Sequence, residues 1–374
     1  MQKKSIYIVM FAESPAFIRR LIRFALLPYC YINLVNWSEC RKSKLQVLKD
    51  LLFIFFRLKY YPDNYGACRL YEKSRKEWVC YYGSTYNPYP RRQLRILVQQ
   101  YDYQIIFNDK ELWEKFCHAM PVVAPPFLGT VEPTGPYREQ IRAILTSNET
   151  NRIIIKPVKG HAGQGIILAL REDGEIVILT GSGKIYLDDL TLATKCIIQK
   201  VVEQDSSVSE IYPCAVNTVR IITLLTADQD VILIGAKMRF GNNKSFIDNS
   251  SAGGINVGID KRNGILNEFG YDKHGNRYRS HPATGVDFAG YNLPRWGEIV
   301  DLAKIVQREC SFYKLVGTDI AVTPDGPVLI EANANPDIIG LELAIGPILR
   351  DRVVYDEFKR YDLLINIFQQ RLHS

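Results

Sequence analysis

The spacing of apolar residues divides the chain into a helical first part and a later part rich in strands. Between residues 15 and 61, apolar residues recur every three or four positions, and this spacing predicts helices. From residue 152 onwards the pattern changes to short apolar runs bounded by turn residues, which is typical of strands. Strands are predicted at 152–157, 165–171, 175–180, 196–202, 219–226 and 231–238. Residues 5–11 fit either a short strand or the lead into a helix.

Further helices and one loop are predicted from capping residues and turn formers. Asn108 or Asp109 is expected to cap a helix that carries Leu112, Phe116 and Ala119 on one face and ends before residues 121–126. The remaining predictions are helices at 137–146 and 294–313, an amphipathic helix at 351–371 and a loop at 83–90. The sequence therefore predicts a mixed α and β protein.

Two acidic residues near the C-terminus are predicted to face each other across a β-hairpin. Residues 317–337 contain two short strands joined by a Pro-Asp-Gly turn, and Asp319 and Glu331 lie six positions on either side of residue 325. Antiparallel pairing would bring their Cβ atoms to about 5 Å. Asn333 follows Glu331 by two positions and so shares its face. Opposed like charges need neutralisation, and these oxygen ligands suit Mg²⁺, although a solvated hairpin is the alternative.

A glycine-rich loop follows a strand that ends near Lys156. Lys159 begins this loop, and Gly160, Gly163 and Gly165 follow within six residues. Such a loop lets backbone N–H groups approach phosphate oxygens closely, and a lysine adds a point charge. The spacing is not that of a Walker P-loop, and the next predicted element is a strand, which also excludes a Rossmann motif. A β-turn without a ligand is the alternative.

Three further strands each carry a polar residue among apolar ones, and a polar segment follows the last of them. Gln199 could offer its amide to an adenine edge or belong to a core strand. Arg220 and Arg239 each stand on an apolar strand, where an arginine suits carboxylate or phosphate recognition or forms a structural ion pair. The polar segment 245–255 could line an active site or merely turn the chain.

Charge is distributed unevenly along the 374 residues. Residues 1–110 carry 19 Lys and Arg against 8 Asp and Glu, whereas the remainder carries 28 against 32. This basic, aromatic region could be a helical subdomain that packs internally, a surface that rests on anionic membrane, or a docking site for an acidic partner. The uncharged run 24–38 has 15 residues and contains Pro28, which is short of the roughly 20 residues that span a bilayer.

Composition excludes several other classes of function. The eight cysteines form no CxxC pair, and the five histidines have no ligand spacing with them, so a zinc site is unsupported. Scattered cysteines without a credible signal peptide predict a reducing, cytoplasmic location. The basic residues are dispersed over predicted helices without a recognisable reader motif, and nucleic-acid binding is therefore not expected.

Taken in order, these motifs resemble the ATP-grasp superfamily over roughly residues 105–345. The ending Glu-Ala-Asn-x-x-Pro, which starts at Glu331, is the most specific part of the match. The chain is most similar to the sugar-transfer-associated group of that superfamily, in residues 216–220, 236–239, 248–249 and 253–255.

The resemblance implies an α+β fold in which two α+β subdomains clamp ATP, preceded by a mostly helical, basic N-terminal region. Implied regions are 1–105, then 106–195 with the glycine-rich loop, 196–350 with the metal hairpin, and a C-terminal helix at 351–374. Implied nucleotide contacts are Lys110, Lys156, the loop residues Lys159, Gly160, Gly163 and Gly165, Gln199, and the backbone of Val202. The ribose contact remains open among Asp205, Ser206 and Glu210, and the implied Mg²⁺ ligands are Asp319, Glu331 and Asn333.

The resemblance also implies a reaction, carboxylate activation by ATP followed by attack of an amine. Arg220 and Arg239 are the candidate catalytic residues in it. The group suggests substrates that are amino acids and sugar acids or amino sugars of bacterial surface polysaccharides, with a membrane or a glycosyltransferase as a possible neighbour. A kinase with a hydroxyl acceptor and a non-catalytic ATP-binding protein are the alternatives.

Overall fold

The computed structural model describes residues 15–84, 94, 97–147, 150–160, 163–172, 174–181, 183–243, 245–248 and 253–373. The segment predicted at 5–11, and the predicted loop from residue 85 onwards, lie outside the described residues.

The strands form two antiparallel sheets, as the α+β prediction requires. The first sheet has the order β1-β6-β2-β3-β4-β5 and the second the order β11-β10-β9-β8-β7-β12-β13. The strands are β1 Phe127–Val131, β2 Arg152–Pro157, β3 Ile167–Glu172, β4 Glu175–Thr180, β5 Gly183–Tyr186, β6 Cys196–Lys200, β7 Thr218–Leu225, β8 Val231–Phe240, β9 Ile255–Ile259, β10 Leu266–Tyr271, β11 Arg277–Tyr278, β12 Leu315–Thr323 and β13 Gly326–Asn333.

The helices flank the sheets and make up most of the N-terminal region. They are α1 Ala16–Ala25, α2 Leu27–Tyr29, α3 Lys44–Phe53, α4 Asn64–Ala67, α5 Arg75–Trp78, α6 Gln104–Asn108, α7 Lys110–Ala119, α8 Tyr137–Ser147, α9 Ser206–Ile211, α10 Trp296–Glu309, α11 Ile338–Ile345, α12 Arg352–Arg360 and α13 Ile367–Gln370. Two π-helical turns, Cys30–Leu34 and Ile54–Leu58, extend α2 and α3. None of the helices within the described ranges has the length and apolarity needed to cross a membrane.

The N-terminal region has an apolar core of its own. Ile54, Leu58, Tyr65 and Trp78 are fully buried in it, and residues of the C-terminal helices α11 and α13 pack against its edge. Ser43 caps α3 with a reciprocal bond to Gln46, which explains why the helix starts there. The helical prediction for residues 15–61 is confirmed.

The second sheet is covered by helices on both faces. On one face, Val219 of β7 and Met238 of β8 pack in a core with Ile299 and Val306 of α10. On the other face, Ile222 and Leu224 pack with α11 and α12. Arg220 lies two positions before Ile222 on β7 and therefore on the same face, where the side chains become polar towards one end of the strand.

Three local predictions need correction. The strand at 196–202 ends at Lys200 and pairs with β1 and β2, so it belongs to the first sheet and the boundary between sheets falls after it. The predicted C-terminal helix is broken, because Asp362 adopts a left-handed φ of 52° between α12 and α13. In α7 the buried face carries Trp113 and Cys117, whereas the predicted Leu112 is 41% exposed.

Candidate active site

A large cavity of about 1230 Å³ lies between the two sheets. Residues of both sheets line it, together with the start of α7, the glycine-rich loop and the segment after β6. Predicted residues that line it are Lys110, Lys156, Gly160, Gly163, Gln199, Val202, Arg239, Asp319, Glu331 and Asn333. Predicted residues outside the lining are Lys159, Gly165, Glu210 and Arg220. The structure therefore brings most of the predicted residues to one place.

Lys110 and Lys156 enter the cavity from adjoining elements. Lys110 is the first residue of α7, which Asp109 caps by accepting bonds from the backbone N–H groups of the first turn. The Lys110 ammonium donates to the carbonyl of Gly160 at 3.0 Å, so it is tied to the glycine-rich loop. Lys156 lies near the end of β2, where burial lowers its pKa while the charges of Glu331 and Glu114 oppose that shift.

The glycine-rich loop needs glycine at two of its described positions. Gly163 and Gly165 both adopt a φ of 72°, in the left-handed region. A Cβ atom on Gly165 would also come within 2.9 Å of Pro157 Cγ. His161 and Ala162 of this loop lie outside the described residues. The two positive φ angles turn the chain back so that Gly160 and Gly163 line the cavity.

Gln199 is buried on β6 and donates to Glu114 Oε1 at 2.6 Å. Its own amide oxygen is buried and has no hydrogen-bond partner among the described residues. Burial raises the pKa of Glu114. Sequence reasoning missed Glu114, because its approach to β6 depends on how α7 docks against the first sheet. An unpartnered amide oxygen beside a cavity is a group that a ligand donor could satisfy.

The candidates for a ribose contact occupy different positions relative to the cavity. Asp205 caps α9 by accepting from the backbone N–H of Ser207 at 2.9 Å. Glu210 is exposed on α9, 3.4 Å from the Tyr291 hydroxyl and outside the cavity lining. Glu203, which was not among the candidates, is the acidic residue of this segment that lines the cavity. The segment 201–205 has no regular structure, so sequence patterns could not fix its direction.

Asp319 and Glu331 lie opposite each other in the antiparallel ladder of β12 and β13. Arg220 is the neighbour of Asp319 on the other side, in β7. It binds the carboxylate through Nε and through a second guanidinium nitrogen at 2.6 Å, and Arg239 donates to Asp319 Oδ2 at 3.0 Å. Burial acts to raise the pKa of Asp319, but the two arginine charges outweigh it and hold that pKa well below its usual range.

Arg239 also forms an ion pair with a second carboxylate, that of Asp248. Its guanidinium donates to Asp248 Oδ1 at 2.7 Å and Oδ2 at 3.2 Å, and Asp248 also accepts from the backbone N–H of Thr218 at 3.1 Å. Both arginines therefore make ion pairs, and their catalytic role stays a prediction. Of the polar segment 245–255, residues 245–248 and 253–255 are described, and residues 249–252 lie outside the described residues.

Lys237 extends this polar row across the sheet and was missed by sequence reasoning. It lies opposite Arg220 in β8, so Glu331, Asp319, Arg220 and Lys237 are successive neighbours on four strands. Lys237 is buried, and burial lowers its pKa to about 8 while the charge of Asp337 opposes that shift. A basic residue two positions before Arg239 on the same strand face is the signal that could have found it.

The donor set on β12 and β13 fits a magnesium ion. Burial and the charge of Asp319 raise the pKa of Glu331, so a cation beside it would offset an unfavourable pair of carboxylates. Asn333 Nδ2 donates to Glu331 Oε1 at 3.4 Å, which places the amide group beside that carboxylate. The described residues contain no group of three or more His, Cys, Asp or Glu around a possible metal. Two carboxylates and an amide are nevertheless a set that Mg²⁺ uses when substrate phosphates complete its shell.

Comparison with known proteins gives one match by family. A family model described as sugar-transfer associated ATP-grasp matches residues 90–356. No curated protein matches the sequence.

Solved structures similar to this one include three that share between 9% and 12% of its sequence. An ADP complex of purK, an N5-carboxyaminoimidazole ribonucleotide synthetase, has 12% identity and a TM-score of 0.37, with 68% of this chain and 53% of that chain covered. D-alanine-D-alanine ligase from Helicobacter pylori has 9% identity and a TM-score of 0.41, with coverages of 71% and 61%. A RimK domain ATP-grasp protein from Sphaerobacter thermophilus has 12% identity and a TM-score of 0.36, with 66% of this chain and 67% of that chain covered. This chain thus spans about half the length of the first of them.

Proposed function

This chain belongs to the sugar-transfer associated ATP-grasp family, and from that membership we propose that it is an ATP-dependent ligase that joins a carboxylate to an amine. The observation that carries the proposal is the cavity of about 1230 Å³, in which two lysines and a glycine-rich loop on one side face a pair of opposed carboxylates on the other. Lysines and backbone N–H groups suit phosphate oxygens, and paired carboxylates suit the cation that accompanies them.

The proposed nucleotide contacts follow from the lining of the cavity. Lys110 and Lys156 would neutralise phosphate charge, and Gly160 and Gly163 would bring the backbone close to phosphate oxygens. The unpartnered oxygen of Gln199 could accept from the adenine amino group. Asp319, Glu331 and Asn333 would hold Mg²⁺, which supplies charge neutralisation at the transferred phosphoryl group.

The proposed chemistry has two steps. A carboxylate oxygen of the first substrate attacks the γ-phosphorus of ATP, the bond to the β-phosphate oxygen breaks, and ADP leaves. The nitrogen of the second substrate then attacks the acyl carbon, the bond to the phosphate oxygen breaks, and inorganic phosphate and a proton are released. Lys156 would lie beside the phosphoryl group in both steps, because it lines the cavity near the end of β2.

The substrates are proposed from the family alone. Its association with sugar transfer supports an amino acid and a sugar acid or amino sugar of a bacterial surface polysaccharide as the two reactants. The eight free cysteines support a reducing compartment such as the cytoplasm, where ATP is available.

The test is release of ADP with ATP and Mg²⁺ across pairs of amino acids and sugar-acid or amino-sugar nucleotides, with mass spectrometry of the products. A ligase needs both substrates and forms a condensed product. Glu331→Gln should abolish the reaction, whereas Glu309→Gln, which alters an exposed acid on α10, should not. A product heavier by one phosphoryl group would instead identify a kinase, and ATP binding without turnover on every pair would count against an enzyme.

A further inference from the structure

The most amphipathic helix of the N-terminal region packs with its polar side inward. In α1, Phe17 is 65% exposed and Leu21 is 64% exposed, whereas Arg19 is only 2% exposed. Ile18, Ile22 and Phe24 of the same helix are also exposed. A helix on the surface of a soluble protein normally buries its apolar side, so this orientation leaves an apolar surface without a covering element among the described residues.

Contacts of the two other arginines of α1 fix this orientation. The Arg20 guanidinium lies 5.2 Å from the centre of the Phe55 ring and donates to the Phe55 carbonyl at 3.5 Å. The Arg23 guanidinium lies 5.4 Å from the centre of the Tyr61 ring. Cation–π contacts of this kind hold the polar side of α1 against the body of the protein. The apolar side therefore points away from it.

The exposed surface continues onto α3 and the π-helical turn that follows it. Leu45, Leu48 and Phe56 are 60%, 43% and 47% exposed, at the spacing of one helix face. The Phe24 and Phe56 rings lie 5.7 Å apart, which joins the two helices into one patch. The N-terminal apolar face is defined here as the surface formed by Phe17, Leu21, Phe24, Leu45, Leu48 and Phe56.

Positive charge accompanies this face. Lys44 and Lys49 lie on α3, Arg57 lies on the π-helical turn, and Lys59 directly follows that turn. All four are exposed, and within the described part of the chain none of them forms an ion pair with a carboxylate. Residues 15–61 contain only two acids, Glu39 and Asp50.

Both of these acids are already engaged. Asp50 is buried and binds Lys42 at 2.7 Å and Arg75 at 3.1 Å. Glu39 binds Arg69 at 3.0 Å. The surroundings of the N-terminal apolar face are therefore strongly positive.

We propose that the N-terminal apolar face docks on the surface of an anionic lipid bilayer, with its aromatic and leucine side chains in the interface and the lysines at the lipid headgroups. Helices that lie in a membrane interface combine these two features, an exposed apolar side and flanking cations. Charge selects this occupant over a second copy of the chain, because two such positive surroundings would repel each other at a self-associating interface.

The first test is sedimentation of the full chain with vesicles of phosphatidylcholine alone and with one third phosphatidylglycerol. Phe17→Ser combined with Leu21→Ser should lower the partition coefficient on the anionic vesicles at least tenfold, since each side chain leaves the interface. The matched control, Val353→Ser with Ile367→Ser, alters two side chains that are 56% and 52% exposed on α12 and α13 and should bind as the parent does.

The second test addresses charge. Lys44→Gln with Lys49→Gln should lower partition on anionic vesicles by roughly 30-fold, at about fivefold for each lysine. The control is Lys115→Gln with Lys359→Gln, two exposed lysines elsewhere. For the parent chain, raising the salt concentration from 0.05 M to 0.5 M should release most of the bound protein. This measurement does not depend on the folding of any variant.

Three results would overturn the proposal. The first is equal binding, or none, on neutral and anionic vesicles. The second is a dimer in light scattering that Phe17→Ser with Leu21→Ser converts to a monomer, which would assign the face to a second copy. The third is an unchanged partition coefficient for both lysine and apolar variants.

Discussion

Glu331 stands opposite Asp319 because a β-bulge adds one residue to β13. Ile320 pairs with Leu329 and Thr323 with Gly326, and on that register the partner of Asp319 would be Ile330. The ladder shifts between Asp319 and Ile320, so that Ile330 is left over and Glu331 becomes the partner. The two acids were expected to be opposite from symmetry about residue 325, and the bulge is what makes that expectation correct.

The two carboxylates should respond differently to neutralisation. Asp319→Asn removes the partner of two largely buried guanidinium groups and should destabilise the fold by about 3 kcal/mol. Glu331→Gln should not, because burial and the charge of Asp319 already raise the pKa of Glu331 and make its ionised form unfavourable. Urea denaturation at pH 7 measures both variants.

Glu331→Gln should lower activity without lowering stability. Its kcat per folded molecule should fall at least 100-fold, while its free energy of unfolding stays within about 0.5 kcal/mol of the parent value or rises. Equal destabilisation by the two substitutions would contradict the arrangement in which the arginines neutralise Asp319 rather than Glu331.

Lys110 and Lys159 offer a comparison within one loop region. Lys110 lines the cavity and donates to Gly160, whereas Lys159 is exposed and outside the lining. Lys110→Gln should weaken nucleotide binding about tenfold or more, since a charge-assisted contact is worth roughly 1.5–3 kcal/mol. Lys159→Gln should weaken it less. Isothermal titration with a non-hydrolysable ATP analogue gives both values, and a larger effect at Lys159 would mean that the loop changes position when nucleotide binds.

Glu342 predicts how stability depends on pH. It is buried and accepts from the backbone N–H groups of Tyr82 at 2.7 Å and Ile348 at 3.2 Å, and burial raises its pKa to about 8 from an ordinary 4.5. Because the folded state binds this proton more tightly than the unfolded state, its contribution is complete below pH 4.5 and is lost as the pH rises through 8. Stability should therefore fall across that window.

Glu342→Gln keeps the acceptor oxygen and removes the titration. The variant should be more stable than the parent at pH 9, on the order of a few kcal/mol, and similar to it at pH 5. Denaturation curves at both pH values, with Glu309→Gln as the exposed control, measure the difference. A variant that loses as much stability as the parent between pH 5 and pH 9 would show that Glu342 is not the group that titrates.

The sequence was sufficient for features that depend on neighbouring residues and was insufficient for contacts between distant elements. Strand periodicity located β2, β4 and the β12–β13 hairpin, and cap chemistry located the start of α7 at Lys110. Family membership now confirms the α+β fold and the resemblance drawn from Lys156, the glycines and the Glu331–Pro336 motif.

Contacts between distant elements escaped prediction for physical reasons. The bond from Gln199 to Glu114 joins residues 85 positions apart and depends on the docking of a helix on a sheet. The ion pairs of Asp319 depend on the order of strands in the second sheet, which periodicity does not encode. Helical spacing gave α1 its amphipathic character but not which side faces the protein, since cation–π contacts with Phe55 and Tyr61 decide it.

Gly165 and Gly174 separate the cost of a positive φ from the cost of a close contact. Both adopt left-handed backbone, with φ of 72° and 87°. A Cβ atom on Gly165 would lie 2.9 Å from Pro157 Cγ, whereas a Cβ atom on Gly174 would have no atom of the described residues within 4 Å, apart from its chain neighbours. Gly174→Ala should cost about 1–2 kcal/mol of stability from φ alone. Gly165→Ala should cost that amount and also displace the loop from Pro157, so that nucleotide affinity falls at least tenfold in titration calorimetry while Gly174→Ala leaves it unchanged. Equal affinities for the two variants would mean that the loop binds nucleotide without the turn at Gly165, and the phosphate contacts would then have to come from Lys110 and Lys156 alone.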